Sequence, residues 1–215
     1  TKLGVKPAID LTADPVFTCQ SIPQARVNQL LKQEGIKLQP PVVGVAVRSW
    51  RNNRYLKQLA KLLDQLKIEL TAQLLLIPFQ YPADKQISQR LKKLMTEEVV
   101  MVKGEYHPRK ILGLVGELDL LIGLRLHSLI FAVKQEVLPI GISYDPKVDN
   151  FLAQFDLHPA ANTDNLQIDQ VYRKIIRLWD NQETIIANCA KKLETLEGLA
   201  RRNLEVIEQL AEEDQ

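Results

Sequence analysis

Pro40-Pro41-Val42-Val43-Gly44-Val45-Ala46-Val47-Arg48-Ser49-Trp50 holds an uninterrupted apolar run, rich in β-branched residues, that stops at a cation. Such a run leaves no polar face, so it predicts a strand covered on both sides, as in a parallel sheet. Working outward, Tyr55, Leu56, Leu59, Leu62, Leu63 and Leu66 recur at three- and four-residue steps among polar residues, the pattern of an amphipathic helix. The alternation then repeats. Strands are expected at Leu74–Phe79, Val99–Lys103, Asp119–Leu124 and Leu138–Ser143, and helices at Asp84–Met95, Pro108–Gly116 and Leu126–Gln135. Because a helix separates each strand from the next, the economical arrangement is α/β: a Rossmann-like parallel sheet with helices on both faces.

The flanks read differently. Ile9-Asp10-Leu11-Thr12-Ala13-Asp14-Pro15 is strand-like and runs into a turn, followed by a helical pattern around Gln24–Gln33. Residues 1–40 lack a complete core of their own and are set apart from a sheet domain over 41–160. Residues 161–215 are expected to be helical, with charged faces and a buried stripe of Ile175, Ile176, Leu178, Ile185, Ile186, Leu193, Leu196, Leu199 and Leu204.

Composition narrows the function. The 215 residues carry 28 Lys+Arg against 26 Asp+Glu, a net charge of +2. That is too balanced for a large nucleic-acid or anionic-membrane footprint, and no nucleic-acid partner is expected. Cys19 and Cys189 stand alone, without CxxC spacing or a nearby His, so no metal site or dithiol chemistry is indicated. The longest apolar runs, Ala72–Phe79 and Leu118–Leu124, fall far short of a transmembrane segment. Neither GxGxxG nor a Walker loop is present, which disfavours NAD or ATP. The opening Thr1-Lys2-Leu3-Gly4-Val5-Lys6 has no initiator Met, and the chain is expected to begin mid-protein.

In a parallel sheet ligands sit beyond the carboxyl ends of the strands. That rule selects Arg48, Gln80, Tyr81, Arg125, His127, Tyr144 and Asp145 as one rim. In Gly123-Leu124-Arg125-Leu126-His127-Ser128 a cation, an imidazole and a hydroxyl meet at a strand-to-helix turn, where free backbone N–H groups favour an anion and Arg125 offers a bidentate fork. His127 is read as a partner of that anion or a proton acceptor, with a purely helix-capping histidine as the alternative. Pro146 would begin a helix and set Lys147 over the rim as a second cation, against the plainer reading of a solvated lysine. Arg48, ending an apolar strand, needs an anionic partner or an exit to water. Asp84 is read as a helix N-cap, with substrate contact as the alternative. His107 and His158 are read as structural or surface residues, and Arg51 and Arg54 as surface charges.

Gly123-Leu124-Arg125-Leu126-His127-Ser128-Leu129-Ile130-Phe131-Ala132, followed by Pro139-Ile140-Gly141-Ile142-Ser143-Tyr144-Asp145-Pro146-Lys147-Val148, resembles the polysaccharide pyruvyl transferase family, particularly its CsaB-like cell-wall members. Val45–Trp50, Ile77–Gln80 and Thr12–Phe17 look like family segments in family order, so the likeness covers about residues 3–155. The resemblance implies the C-terminal half of a GT-B-like two-domain fold, with Thr1–Phe17 as the last piece of a missing N-terminal domain. It implies transfer of the pyruvyl group of phosphoenolpyruvate to a sugar as a ketal in cell-envelope polysaccharide biosynthesis. Phosphoenolpyruvate is then the donor substrate, and no cofactor or metal is required. His127 carries over as catalytic acid/base or phosphate partner, and Arg48, Arg125 and Lys147 as substrate ligands; Ser128 and Tyr144 complete the expected substrate-binding set. The acceptor would be a saccharide, lipid-linked or nucleotide-linked, with the enzyme cytoplasmic and membrane-associated only through a lipid-linked acceptor. A homo-oligomer is compatible with this reading. The alternatives are a GT-B glycosyltransferase or sugar-nucleotide epimerase, and an inactive fragment that self-associates through exposed apolar surface.

Overall fold

A computed structural model describes residues 10–213. A 3-10 turn, Pro15–Thr18, precedes α1 (Gln24–Glu34), β1 (Val42–Ala46), α2 (Tyr55–Leu70), β2 (Gln73–Leu76), α3 (Ala83–Leu94), β3 (Val100–Met101) and α4 (Pro108–Val115). There follow β4 (Leu120–Gly123), α5 (Leu126–Lys134), β5 (Leu138–Ser143), α6 (Pro146–Gln154), β6 (Ala161–Asn162), α7 (Ile168–Asp180) and α8 (Gln182–Glu213). The six strands form one sheet in the order β3-β2-β1-β4-β5-β6, and every pairing is parallel. The expected Rossmann-like architecture is therefore present.

Successive strand residues point to opposite faces, which explains the unbroken apolar runs. Val43, Val45, Leu74, Leu76, Leu120 and Ile122 pack with α2, α3 and α7 on one face. Their neighbours Val42, Leu75 and Leu121 pack with α1 and α4 on the other. Gly44 takes the one position in β1 where a side chain does not fit, since a Cβ there would lie 2.3 Å from Leu118 Cδ1. A third cluster joins α5, α6, Phe17 and the α8 residues Cys189 and Ala200. Each wholly buried leucine in these clusters contributes roughly 1.5–3 kcal/mol.

Several expected boundaries shift. The second, third and fourth strands end before their apolar runs do, although one further bond continues each pairing, from Ile77 N–H to Val45 O, Val102 N–H to Leu76 O and Leu124 N–H to Ala46 O. β6 is an added edge strand, two residues long, whose half-buried and exposed residues give no apolar signal. Of the strand-like piece at Ile9–Pro15, Ile9 lies outside the described residues, and Asp10–Asp14 is irregular rather than a strand. The predicted C-terminal stripe holds at Ile175, which is buried, but not at Leu204, which is 58% exposed on the outer face of α8.

α8 clasps the start of the described chain. Asn203 Nδ2 donates to Ala13 O at 2.8 Å, Arg202 meets Asp10 at 3.0 Å, and Lys134 Nζ bridges Phe17 O at 2.6 Å and Glu197 at 2.8 Å. Among the described residues no helix is long and apolar enough to cross a membrane.

Candidate functional site

β1 and β4 lie side by side at the point where the strand order reverses, and their last residues are in register, Ala46 against Gly123. Arg48 and Arg125 each stand two residues beyond those partners, so both leave the sheet at its switch point.

Arg125 does not present an open fork. Its Nε donates to Asp84 Oδ2 at 2.8 Å and its Nη2 to Oδ1, so the side-on edge of the guanidinium is already occupied. Asp84 in turn is no N-cap. Pro82 occupies that position, and the Asp84 carboxylate, 0% exposed, folds back to accept the N–H groups of Phe79 at 3.2 Å and Gln80 at 2.8 Å. Only the end-on edge of Arg125 is left for a ligand.

Ser128, expected as a substrate ligand, turns inward. Its hydroxyl is fully buried and donates to Arg125 O at 2.6 Å, closing the first turn of α5 where substrate cannot reach it. Gly123 makes this packing fit, since a Cβ there would come within 2.4 Å of Ser128 Oγ. His127 takes the outward position on the same turn, and the N-cap of α5 is Arg125. Its side chain is 58% exposed, with Nε2 3.5 Å from Asp14 Oδ2. Asp14 meanwhile caps the 3-10 turn by accepting Val16 N–H at 3.0 Å. His107, by contrast, is a structural cap, accepting Arg109 N–H at the start of α4.

Arg125 and His127 share a cleft of about 370 Å³ with Gln80. Val16, Phe79, Ile111 and Phe131 supply its apolar walls. Tyr106 adds a phenol held by Glu34, which also accepts the N–H groups of Lys103 and Gly104. Burial raises the Glu34 carboxyl, but these bonds and the Lys103 charge outweigh it and leave the group below its ordinary value. An apolar concavity with a few convergent polar groups is the usual form of a small-molecule site.

Arg48, Tyr144 and Lys147 form a second group across the switch point. The Arg48 guanidinium lies 4.4 Å from the Tyr144 ring centroid and 5.6 Å from that of Trp50, and its Nη1 donates to the Tyr144 hydroxyl. Its buried Nε has no partner among the described residues. Tyr144 is itself buried against Trp50 at 4.8 Å, so its hydroxyl serves Arg48. Lys147 follows Asp145, the N-cap of α6, and its half-exposed Nζ sits 5.3 Å over the Tyr144 ring and 4.0 Å from Asp145. The Tyr55 hydroxyl donates to Arg48 O between the two groups. Burial, reinforced by the Asp84 charge and opposed by Arg48 and Arg125, holds that phenol well above its ordinary range and therefore neutral. Tyr81 contacts Lys85 instead of joining the cleft.

The residues missed in the sequence are Asp14, Trp50 and Tyr106; Asp84 is read there as an N-cap or substrate contact, and its grip on Arg125 is what the sequence does not show. Trp50 carried a signal, as an aromatic two residues after a strand-ending Arg. Asp14 and Asp84 carried none that separates them from ordinary caps.

The family model for polysaccharide pyruvyl transferase matches residues 1–146. The chain belongs to the polysaccharide pyruvyl transferase family. Arg48, Asp84, Arg125 and His127 all fall within the matched part of this pyruvyl transferase family chain. No match is found among the curated proteins. Among solved structures, the UDP-GlcNAc 2-epimerase from Neisseria meningitidis bound to UDP-GlcNAc is 10% identical, with a TM-score of 0.64 over 92% of this chain and 54% of that one. A protein assigned as a UDP-N-acetylglucosamine 2-epimerase from Listeria monocytogenes gives 12% identity and a TM-score of 0.64 over 99% and 56%. WaaG, a glycosyltransferase involved in lipopolysaccharide biosynthesis, gives 15% and 0.57 over 93% and 55%. At these identities the likeness is one of fold, that of GT-B glycosyltransferases and epimerases, and the chain spans about half the length of the structures it matches.

Proposed function

We propose that the protein transfers the pyruvyl group of phosphoenolpyruvate onto two hydroxyls of a saccharide, forming a cyclic ketal and releasing phosphate, in the synthesis of a cell-envelope polysaccharide. In this reaction one acceptor hydroxyl proton ends on the enol methylene carbon, which becomes a methyl group, and the other ends on the departing phosphate. Two new C–O bonds to the hydroxyl oxygens form at the ketal carbon, in place of its C–O bond to phosphate and the C=C π bond. The chemistry calls for proton transfer, charge stabilisation and anion binding, which side chains supply. We assign no cofactor beyond the donor substrate.

The observation that carries this reading is the juxtaposition of Arg125 and His127 in one cleft at the switch point of a pyruvyl transferase family chain. His127, exposed and beside Asp14, is assigned proton transfer or phosphate binding. The end-on edge of Arg125, together with Arg48 and Lys147, is assigned to phosphate and carboxylate. We place the enzyme on the cytoplasmic side, meeting the membrane through a lipid-linked acceptor.

Calorimetric titration of the chain with phosphoenolpyruvate, beside UDP-GlcNAc and inorganic phosphate, tests the donor assignment. Saturable phosphoenolpyruvate binding, weakened by His127→Ala, is the expected result. Preference for UDP-GlcNAc would replace this reading with a sugar-nucleotide enzyme.

A further inference from the structure

We propose that Asp84 is a positioning residue for the anion site: a single buried carboxylate that fixes Phe79, Gln80 and Arg125 in the cleft and dictates the edge from which Arg125 meets its ligand. This rests on the reading that the cleft takes phosphoenolpyruvate.

Three of the cleft's lining residues hang on this one side chain. Oδ2 accepts Phe79 N–H at 3.2 Å, Gln80 N–H at 2.8 Å and Arg125 Nε–H at 2.8 Å, while Oδ1 takes Arg125 Nη2. An ionised carboxylate has about four acceptor sites, and four donors are present. Phe79, Gln80 and Arg125 all line the cleft, whereas Asp84 is 0% exposed and cannot itself touch substrate. Its effect is therefore exerted through its partners. Holding the Nε side of the guanidinium removes the rotational freedom of a long side chain, so the Nη1 end is set in place before a ligand arrives. The same carboxylate ties the loop after β2 to the loop after β4, making the cleft one preorganised unit rather than two independent loops.

Titrations with phosphoenolpyruvate and with inorganic phosphate are compared for wild type, Asp84→Asn, Arg125→Lys and the double variant, with melting followed in parallel. Asp84→Asn should weaken phosphoenolpyruvate binding about tenfold or more while still melting above the assay temperature. Adding it to Arg125→Lys should cost nothing further, because both substitutions remove the same arrangement. A folded Asp84→Asn protein with wild-type affinity, or losses that multiply in the double variant, overturns the proposal. A second readout needs no variant. The Arg125 Nε–H resonance should exchange with solvent far more slowly than that of Arg51, whose side chain is 65% exposed. Equal exchange overturns the proposal even if Asp84→Asn does not fold. Wild type that binds phosphate but not phosphoenolpyruvate sinks the donor reading alone, and the comparison is then decided on phosphate. Wild type that binds neither overturns both.

Discussion

Replacing Gly123 by Ala tests how the turn from β4 into α5 is built. The backbone at Gly123 does not require a left-handed conformation, so the cost is steric. The new methyl would lie 2.4 Å from Ser128 Oγ, 2.9 Å from Leu129 Cδ2 and 3.1 Å from Leu129 Cγ. Both neighbours are fully buried, so neither can swing into water. Overpacking of this kind costs about 1–3 kcal/mol. Ser128 must also rotate away from Arg125 O, giving up a hydrogen bond worth about 0.5–1.5 kcal/mol. The sum is roughly 2–4 kcal/mol, or a fall in Tm of about 4–16 °C for a chain of this size. Urea unfolding at an unchanged m-value measures it. Adding Ser128→Ala removes the closest clash and should make the double variant more stable than Gly123→Ala alone, with the Leu129 contacts left as a residual cost. A Gly123→Ala protein within about 0.5 kcal/mol of wild type, or single-variant costs that simply add, would refute the packing argument. The same displacement moves the first turn of α5, so phosphoenolpyruvate binding should weaken with stability.

Two further predictions concern titration and thiol reactivity. Glu34 sits below its ordinary pKa of 4.5 in the folded protein, so its stabilising contribution is complete above about pH 4.5 and is lost as pH falls through the lower folded value. Glu34→Gln should therefore flatten the loss of stability on acidification below that point, and an unchanged slope would remove Glu34 from the account. Burial pushes the Cys189 thiol up to about 11, the Lys192 charge opposing and Asp156 adding to it, while Cys19 is partly exposed. Iodoacetamide at about pH 8 should label Cys19 first and Cys189 only on unfolding; equal rates would contradict the buried position.

The strand-helix alternation was legible because parallel strands are covered on both faces, which writes itself as runs such as Val42–Val47. β6 was not legible, since two residues paired at an edge leave no pattern. The rim rule found Arg48, Arg125, His127 and Tyr144 because position at a strand end is a local property. What these residues do with their side chains is not local. Asp84 and Arg125 are 41 positions apart, and a carboxylate in the first turn of a helix looks the same whether it caps that helix or grips a distant guanidinium. The inward turn of Ser128 was hidden for a similar reason. Its inward rotamer depends on the room left by Gly123 on the neighbouring strand, which only the packed structure reveals.

The clasp made by α8 gives the cleft a place in time as well as in space. The sheet can pair once Asn162 has been made, yet Val16, one wall of the cleft, belongs to a segment pinned by contacts that span 190 residues at Asn203 and 192 at Arg202. Contacts of such separation carry the largest loop-closure cost and cannot form until the later partner has left the ribosome. During synthesis the residues of the sheet are therefore all available before Val16 can be pinned as a wall of the cleft.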